Sequence, residues 1–175
     1  MHLLKHFFNS FLLTIAVISA AQAQTPSQIL RDAGVMFTPP GAWAVEDLAK
    51  LNGVLMLAPS VEANWQANIF LELREDKENR TLERSLADVS GNLKSRKNQY
   101  RELSRSVKRT ARGVPYALLE YSQHPNSGPE LLEWEVIVPL QGTTRLFVYA
   151  STAKSVSPKY LPVFQAFLDS LAVAK

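Results

Sequence analysis

Pro115-Tyr116-Ala117-Leu118-Leu119-Glu120-Tyr121-Ser122-Gln123, Leu131-Leu132-Glu133-Trp134-Glu135-Val136-Ile137-Val138-Pro139-Leu140 and Arg145-Leu146-Phe147-Val148-Tyr149-Ala150-Ser151-Thr152 follow one another with short gaps. Each run is rich in β-branched and aromatic residues and is bounded by turn formers: Gly113, then His124-Pro125-Asn126-Ser127-Gly128-Pro129, then Gln141-Gly142-Thr143. Connections this short cannot carry a parallel crossover, so the three segments pair antiparallel. Residues 103–108 (LSRSVK) precede them as a fourth strand.

Working outward, residues 67–74 (ANIFLELR) alternate with Ile69, Leu71 and Leu73 on one face, and residues 53–58 (GVLMLA) form a compact apolar run closed by Pro59. Residues 35–37 read as a short strand stopped by Pro39-Pro40-Gly41, with a turn presenting Trp43. Leu82, Leu86, Val89, Leu93 and Tyr100 recur at helical spacing, with Thr81 as N-cap and Glu83 in the first turn. Leu161, Phe164, Phe167, Leu168 and Leu171 make a closing amphipathic helix whose first turn tolerates Pro162. Strands, a long helix, four strands and a final helix describe an α+β fold, an antiparallel sheet flanked by helices, in a single domain. Two-residue periodicity puts Ile69, Leu71, Leu73, Ala117, Leu119, Tyr121, Leu132, Trp134, Val136, Leu146 and Val148 on the core side. The opposite side then holds Phe70, Glu72, Arg74, Tyr116, Glu120, Glu133, Glu135, Arg145, Phe147 and Tyr149.

The 175 residues carry 46% hydrophobic and 20% charged side chains, an ordinary globular balance, with 19 Lys+Arg against 16 Asp+Glu. Zero cysteines exclude disulfides, thiolate metal sites, a cysteine nucleophile and a lipidated N-terminal cysteine. Basic Lys5, the apolar stretch that follows it and Ala21-Gln22-Ala23 form a secretory signal peptide over 1–23, leaving 24–175 as the mature domain. The leader's apolar stretch, broken by Asn9, Ser10 and Gln22, is too poor for a spanning helix, and no later segment has spanning length. A periplasmic or secreted location is therefore expected.

Phe37, Pro40 and Trp43 in F-x-x-P-x-x-W, Ala67-Asn68-Ile69, the strand entry Gly113-Val114-Pro115 and the ending Phe167-Leu168-Asp169-Ser170-Leu171 together resemble the PsbP/Mog-type family, which includes DcrB-like exported bacterial proteins. The resemblance runs over about residues 35–172, nearly the whole mature chain, and rests on hydrophobic and turn residues. It implies an α/β/α sandwich in a family of assembly factors, chaperones and binding subunits largely without enzymatic activity. It transfers neither a partner nor a binding residue, because its members serve a small GTPase, photosystem II and secreted bacterial systems.

Removal of the leader takes His2 and His6 with it, leaving His124 in a Gly/Pro-rich loop, so neither a histidine triad nor a multi-histidine metal site is available. Glu72, Glu120, Glu133 and Glu135 on one face offer paired carboxylates for a hydrolase, but Arg74 and Arg145 on that face explain them more simply as cross-strand charge pairs on a solvated sheet, without catalysis. The same glutamates lack the closely spaced oxygens of a calcium loop. No cofactor motif is present.

The most uneven feature is residues 94–112, where Lys94, Arg96, Lys97, Arg101, Arg105, Lys108, Arg109 and Arg112 meet one acid, Glu102. Residues 113–144 contain no Lys or Arg but hold Glu120, Glu130, Glu133 and Glu135, which predicts a bipolar molecule. A basic patch of this kind steers an acidic protein partner or contacts the envelope surface peripherally, while the same charges on an edge strand also discourage aggregation. Export and the lack of an aromatic-basic motif argue against nucleic acid. Trp134 is expected in the core; Trp65, in the polar loop Glu62-Ala63-Asn64-Trp65-Gln66, is the interface candidate with the best claim to exposure, the alternative being that it packs under that loop. Lys94, Lys97, Arg101, Arg105 and Trp65 therefore constitute the predicted protein-binding site of a non-enzymatic exported accessory, chaperone-like or immunity-type factor. A small-ligand or metal-binding periplasmic protein is the alternative, and a hydrolase using the sheet-face carboxylates the third reading.

Overall fold

The computed structural model describes residues 26–174, so the leader reading over 1–23 lies outside the described residues. In chain order the elements are α1 (Pro26–Asp32), β1 (Val35–Met36), β2 (Ala44–Leu48), β3 (Gly53–Glu62), β4 (Trp65–Glu75), α2 (Leu82–Arg96), β5 (Arg101–Arg109), β6 (Pro115–Gln123), β7 (Leu131–Pro139), β8 (Thr144–Ala153), α3 (Ser157–Ser170) and β9 (Ala172–Val173). β2 to β8 form one sheet in the order β2-β3-β4-β8-β7-β6-β5. Every neighbouring pair is antiparallel, as the short connections predict. β1 and β9 pair separately, Val35 against Val173, and tie the two ends of the domain together.

Helices cover both faces. On one side Tyr160, Phe164, Phe167 and Leu168 of α3, followed by Leu171, and Leu30 of α1 pack on Ile69, Leu71, Trp134, Val136, Leu146 and Val148. Trp43, turned inward after the Pro39-Pro40 break, meets Tyr160 and Phe164 edge-on at 6.2 and 6.4 Å. On the other side Leu86 of α2, with Leu82, Val89 and Leu93 around it, packs on Ala117, Leu119, Tyr121 and Ile137. The chain is thus an α/β/α sandwich. Thr81 caps α2 by accepting from the Arg84 N–H at 3.3 Å, and Glu83 occupies the first turn as its charge requires.

Four sequence expectations need correction. β6 is reversed: Ala117, Leu119 and Tyr121 face α2, while Tyr116 and Leu118 join the α3 side. Its residues are buried on both faces, so no polar alternation marks the orientation. Glu120, opposite Trp134, consequently leaves the face that carries Glu72, Glu133 and Glu135. Trp65 is not in a loop but opens β4, because Ala63 and Asn64 both take positive φ (50° and 60°) and make a two-residue hairpin turn without the usual glycine. α2 stops at Arg96, short of Tyr100, and α3 starts at Ser157, which puts Pro162 inside the helix rather than in its first turn.

Candidate functional site

Two regions carry chemistry. The first is the outer edge of β5, which among the described residues pairs only with β6. Register places Glu102, Arg105, Val107 and Arg109 on the α2 side and Arg101, Ser104, Ser106 and Lys108 on the other, with a bulge between Glu102 and Ser104 at Leu103. Leu103 and Val107 remain 41% and 42% exposed. Arg101 and Lys108 are exposed, as is Lys94 in the last turn of α2. Arg105 is differently placed: it donates to Glu102 through Nε (2.6 Å) and Nη2 (2.7 Å), and Ser90 of α2 donates to the same carboxylate at 2.6 Å. Arg105's hydrogen bonds hold the Glu102 carboxyl down at about 2, against the pull of burial. This cluster fastens β5 to α2.

The second region lies beneath the end of α2. Tyr121, Glu133, Ser151 and Asn68 stand side by side on β6, β7, β8 and β4 as one cross-strand row. Leu119, Glu135, Tyr149 and Phe70 form the next row. With Leu93 and Lys97 above and Trp65 at the margin, the first row together with Glu135 and Tyr149 of the second lines a cavity of about 250 Å³. Lys97 Nζ approaches Glu133 Oε2 to 3.5 Å. Glu133 Oε2, Ser151 Oγ, Tyr149 Oη and Trp65 Nε1 are buried without a hydrogen-bond partner among the described residues. Glu135 is only 6% exposed, and burial pushes its carboxyl up to about 7 against the opposing charges of Arg74 and Lys97. Burial also raises the Tyr121 and Tyr149 hydroxyls. Beside the cavity, Arg74 pairs with Glu72 and lies 4.8 Å over the Phe147 ring.

Of the five predicted binding residues, Lys94 and Arg101 are exposed near the β5 end, Arg105 is engaged by Glu102, and Lys97 and Trp65 line the cavity instead. The expected acidic pole dissolves for the same reason: Glu133 and Glu135 turn into the cavity, Glu130 pairs with Lys154 at 2.7 Å, and Glu120 accepts from Ser104 at 3.1 Å. Two larger hollows, about 570 Å³ beside Pro39, Pro40 and Pro162 and about 530 Å³ beside Gly113 and Gln141, contain no buried unpartnered side-chain polar atom among the described residues. His124 lies in an exposed loop, its ring nitrogen 3.0 Å from the Pro125 carbonyl. Sequence reasoning took the Glu-Trp-Glu alternation of β7 for a solvated face; the missing signal was that α2 ends directly above it.

No known protein family matches the chain, and no curated protein matches it. Solved structures do. A protein of unknown function, PA94 of Pseudomonas aeruginosa, described as a putative regulator, shares 13% identity at a TM-score of 0.62, over 77% of this chain and 99% of that one. Cyanobacterial PsbP (CyanoP) of Synechocystis shares 17% at 0.61, over 82% and 88%. LpqN of Mycobacterium tuberculosis, involved in cell envelope biogenesis, shares 14% at 0.61, over 88% and 99%. These likenesses establish a PsbP-like fold.

Proposed function

We propose that this is a non-enzymatic, exported binding protein that docks an acidic, extended segment of a protein partner along the β5 edge. The observation that carries the reading is the combination of Leu103 and Val107, both substantially exposed, with Arg101 and Lys108 on a strand whose outer backbone groups face no other strand among the described residues. Charge alone would suffice to keep an edge from aggregating; aliphatic side chains among the charges suit a strand that receives another. Added main-chain hydrogen bonds would supply affinity, and the lysine and arginine heads would select acidic side chains and speed encounter. Lys94, exposed in the last turn of α2, adds positive charge on the other side of the sheet. The Ala21-Gln22-Ala23 motif supports export, and the structural likeness to an envelope-biogenesis protein suits that setting.

The test is affinity capture from envelope extract with the wild type and with a Lys94→Glu/Arg101→Glu/Lys108→Glu variant. The wild type should retain a stoichiometric partner that high salt releases, and the variant should lose it while melting unchanged, since exposed charges contribute little to stability. A partner held equally by both proteins at every salt concentration would overturn the reading.

A further inference from the structure

We propose that the cavity beneath the end of α2 binds a small organic cation, a primary amine or guanidine, through Glu133, Glu135, Tyr149 and Ser151. This site is separate from the β5 edge and does not depend on it. Ser151 is 7% exposed and stands between Glu133 and Asn68 in the cross-strand row, yet its hydroxyl has no partner among the described residues. Buried polar atoms are normally paired, and here Ser151 Oγ and Tyr149 Oη have no hydrogen-bond partner among the described residues, while Glu133 Oε2 has only the Lys97 ammonium at 3.5 Å. Glu135, only 6% exposed, lines the same space.

All four groups can accept, which matches the several N–H donors of an ammonium or guanidinium. Glu133 is set against Lys97 in the lining, so the site gains a net negative charge once Glu135 ionises, above about pH 7, and then draws cations and repels anions. Arg74 acts on Glu135 through its charge while its guanidinium is paired to Glu72 and laid over the Phe147 and Tyr149 rings. No group of three or more His, Cys, Asp or Glu able to hold a metal occurs among the described residues, which favours an organic cation over a metal ion. Trp65, Tyr121 and Tyr149 add aromatic lining suited to a cationic head with an apolar body. At about 250 Å³ the space equals that of roughly eight water molecules, enough for a compact amine.

Binding should be linked to protons. Glu135 faces Glu72 and Arg74 from β4, Lys97 from α2, Glu133 on its own strand, Tyr121 from β6 and Tyr149 from β8. Burial keeps its carboxyl protonated up to about pH 7, and a bound cation would favour the ionised form, so affinity should rise as pH rises through that value.

The experiment is calorimetric titration of the wild type with phenethylamine, agmatine and butylamine, with 3-phenylpropionate as the anionic control, below and above neutral pH. At least one amine should bind saturably, more tightly at the higher pH, while the anion does not. Glu135→Gln, which preserves shape, should weaken it at least about tenfold and remove the pH dependence. Ser151→Leu, which fills the space, should abolish binding without unfolding the domain, and it decides the matter if the glutamine variant folds poorly. No amine binding up to about 10 mM, a range in which even weak ligands register, would overturn the proposal. So would equal binding by the folded variants, or preferential binding of the anion.

Discussion

Glu133 and Ser151 stand directly opposite each other on β7 and β8, and each holds a buried oxygen with no hydrogen-bond partner among the described residues. A buried hydroxyl left unpaired costs about 1–3 kcal/mol, so deleting it should not harm the fold. Ser151→Ala should therefore leave stability unchanged or raise it by about 1 kcal/mol, measured by urea unfolding. A loss of about 1 kcal/mol or more would mean that the hydroxyl is well satisfied in the native state.

Stability should fall with rising pH through Glu135. Its carboxyl is held near 7 in the fold against a usual 4.5, so the native state binds the proton more tightly than the unfolded chain. The stabilisation is complete below 4.5 and is lost as pH rises to about 7. Glu102 acts with the opposite sign: held at about 2 by Arg105, it stabilises above 4.5 and loses that contribution as pH falls toward 2. The unfolding free energy of the wild type, measured with urea, should therefore decline between about pH 4.5 and about pH 7, by at most about 1.4 kcal/mol per pH unit, and Glu135→Gln should flatten that decline. An equal slope in the variant would refute the assignment.

Gly53 should resist any side chain. A methyl there would run into the Phe70 ring and come within 2.7 Å of the Leu71 carbonyl oxygen. Phe70 stacks on Tyr149 at 6.0 Å, so the displacement would reach the wall of the cavity. Gly53→Ala should cost about 1–3 kcal/mol, the usual penalty of overpacking, and a melting temperature equal to the wild type's would contradict that.

The ladder of β6, β7 and β8 was readable because apolar runs and turn residues alternate over short distances, and α3 because its aromatic residues recur at helical spacing. β2 was hidden in the mixed stretch Ala44–Leu48, mostly exposed, which carries no apolar alternation. The hairpin between β3 and β4 escaped notice because Ala63 and Asn64 occupy positions where glycine is the common signal. Glu133 and Glu135 were legible as partners on one face, but their burial depends on where Leu93 and Lys97 end α2, a long-range relation that no local pattern encodes. The basic segment 94–112 was visible as charge; that Lys97 and Arg105 turn toward Glu133 and Glu102 follows only from the packing of α2 on the sheet.

The docking claim is most directly tested by photo-cross-linking in cells, with a benzophenone amino acid placed singly at Leu103, at Val107 and, as control, at Val61, which is 64% exposed in β3, away from the β5 edge. The account predicts one and the same adduct from positions 103 and 107, diminished by Arg101→Glu/Lys108→Glu, and none of it from position 61. Adducts of equal yield from all three positions, or an adduct from position 61 alone, would contradict it.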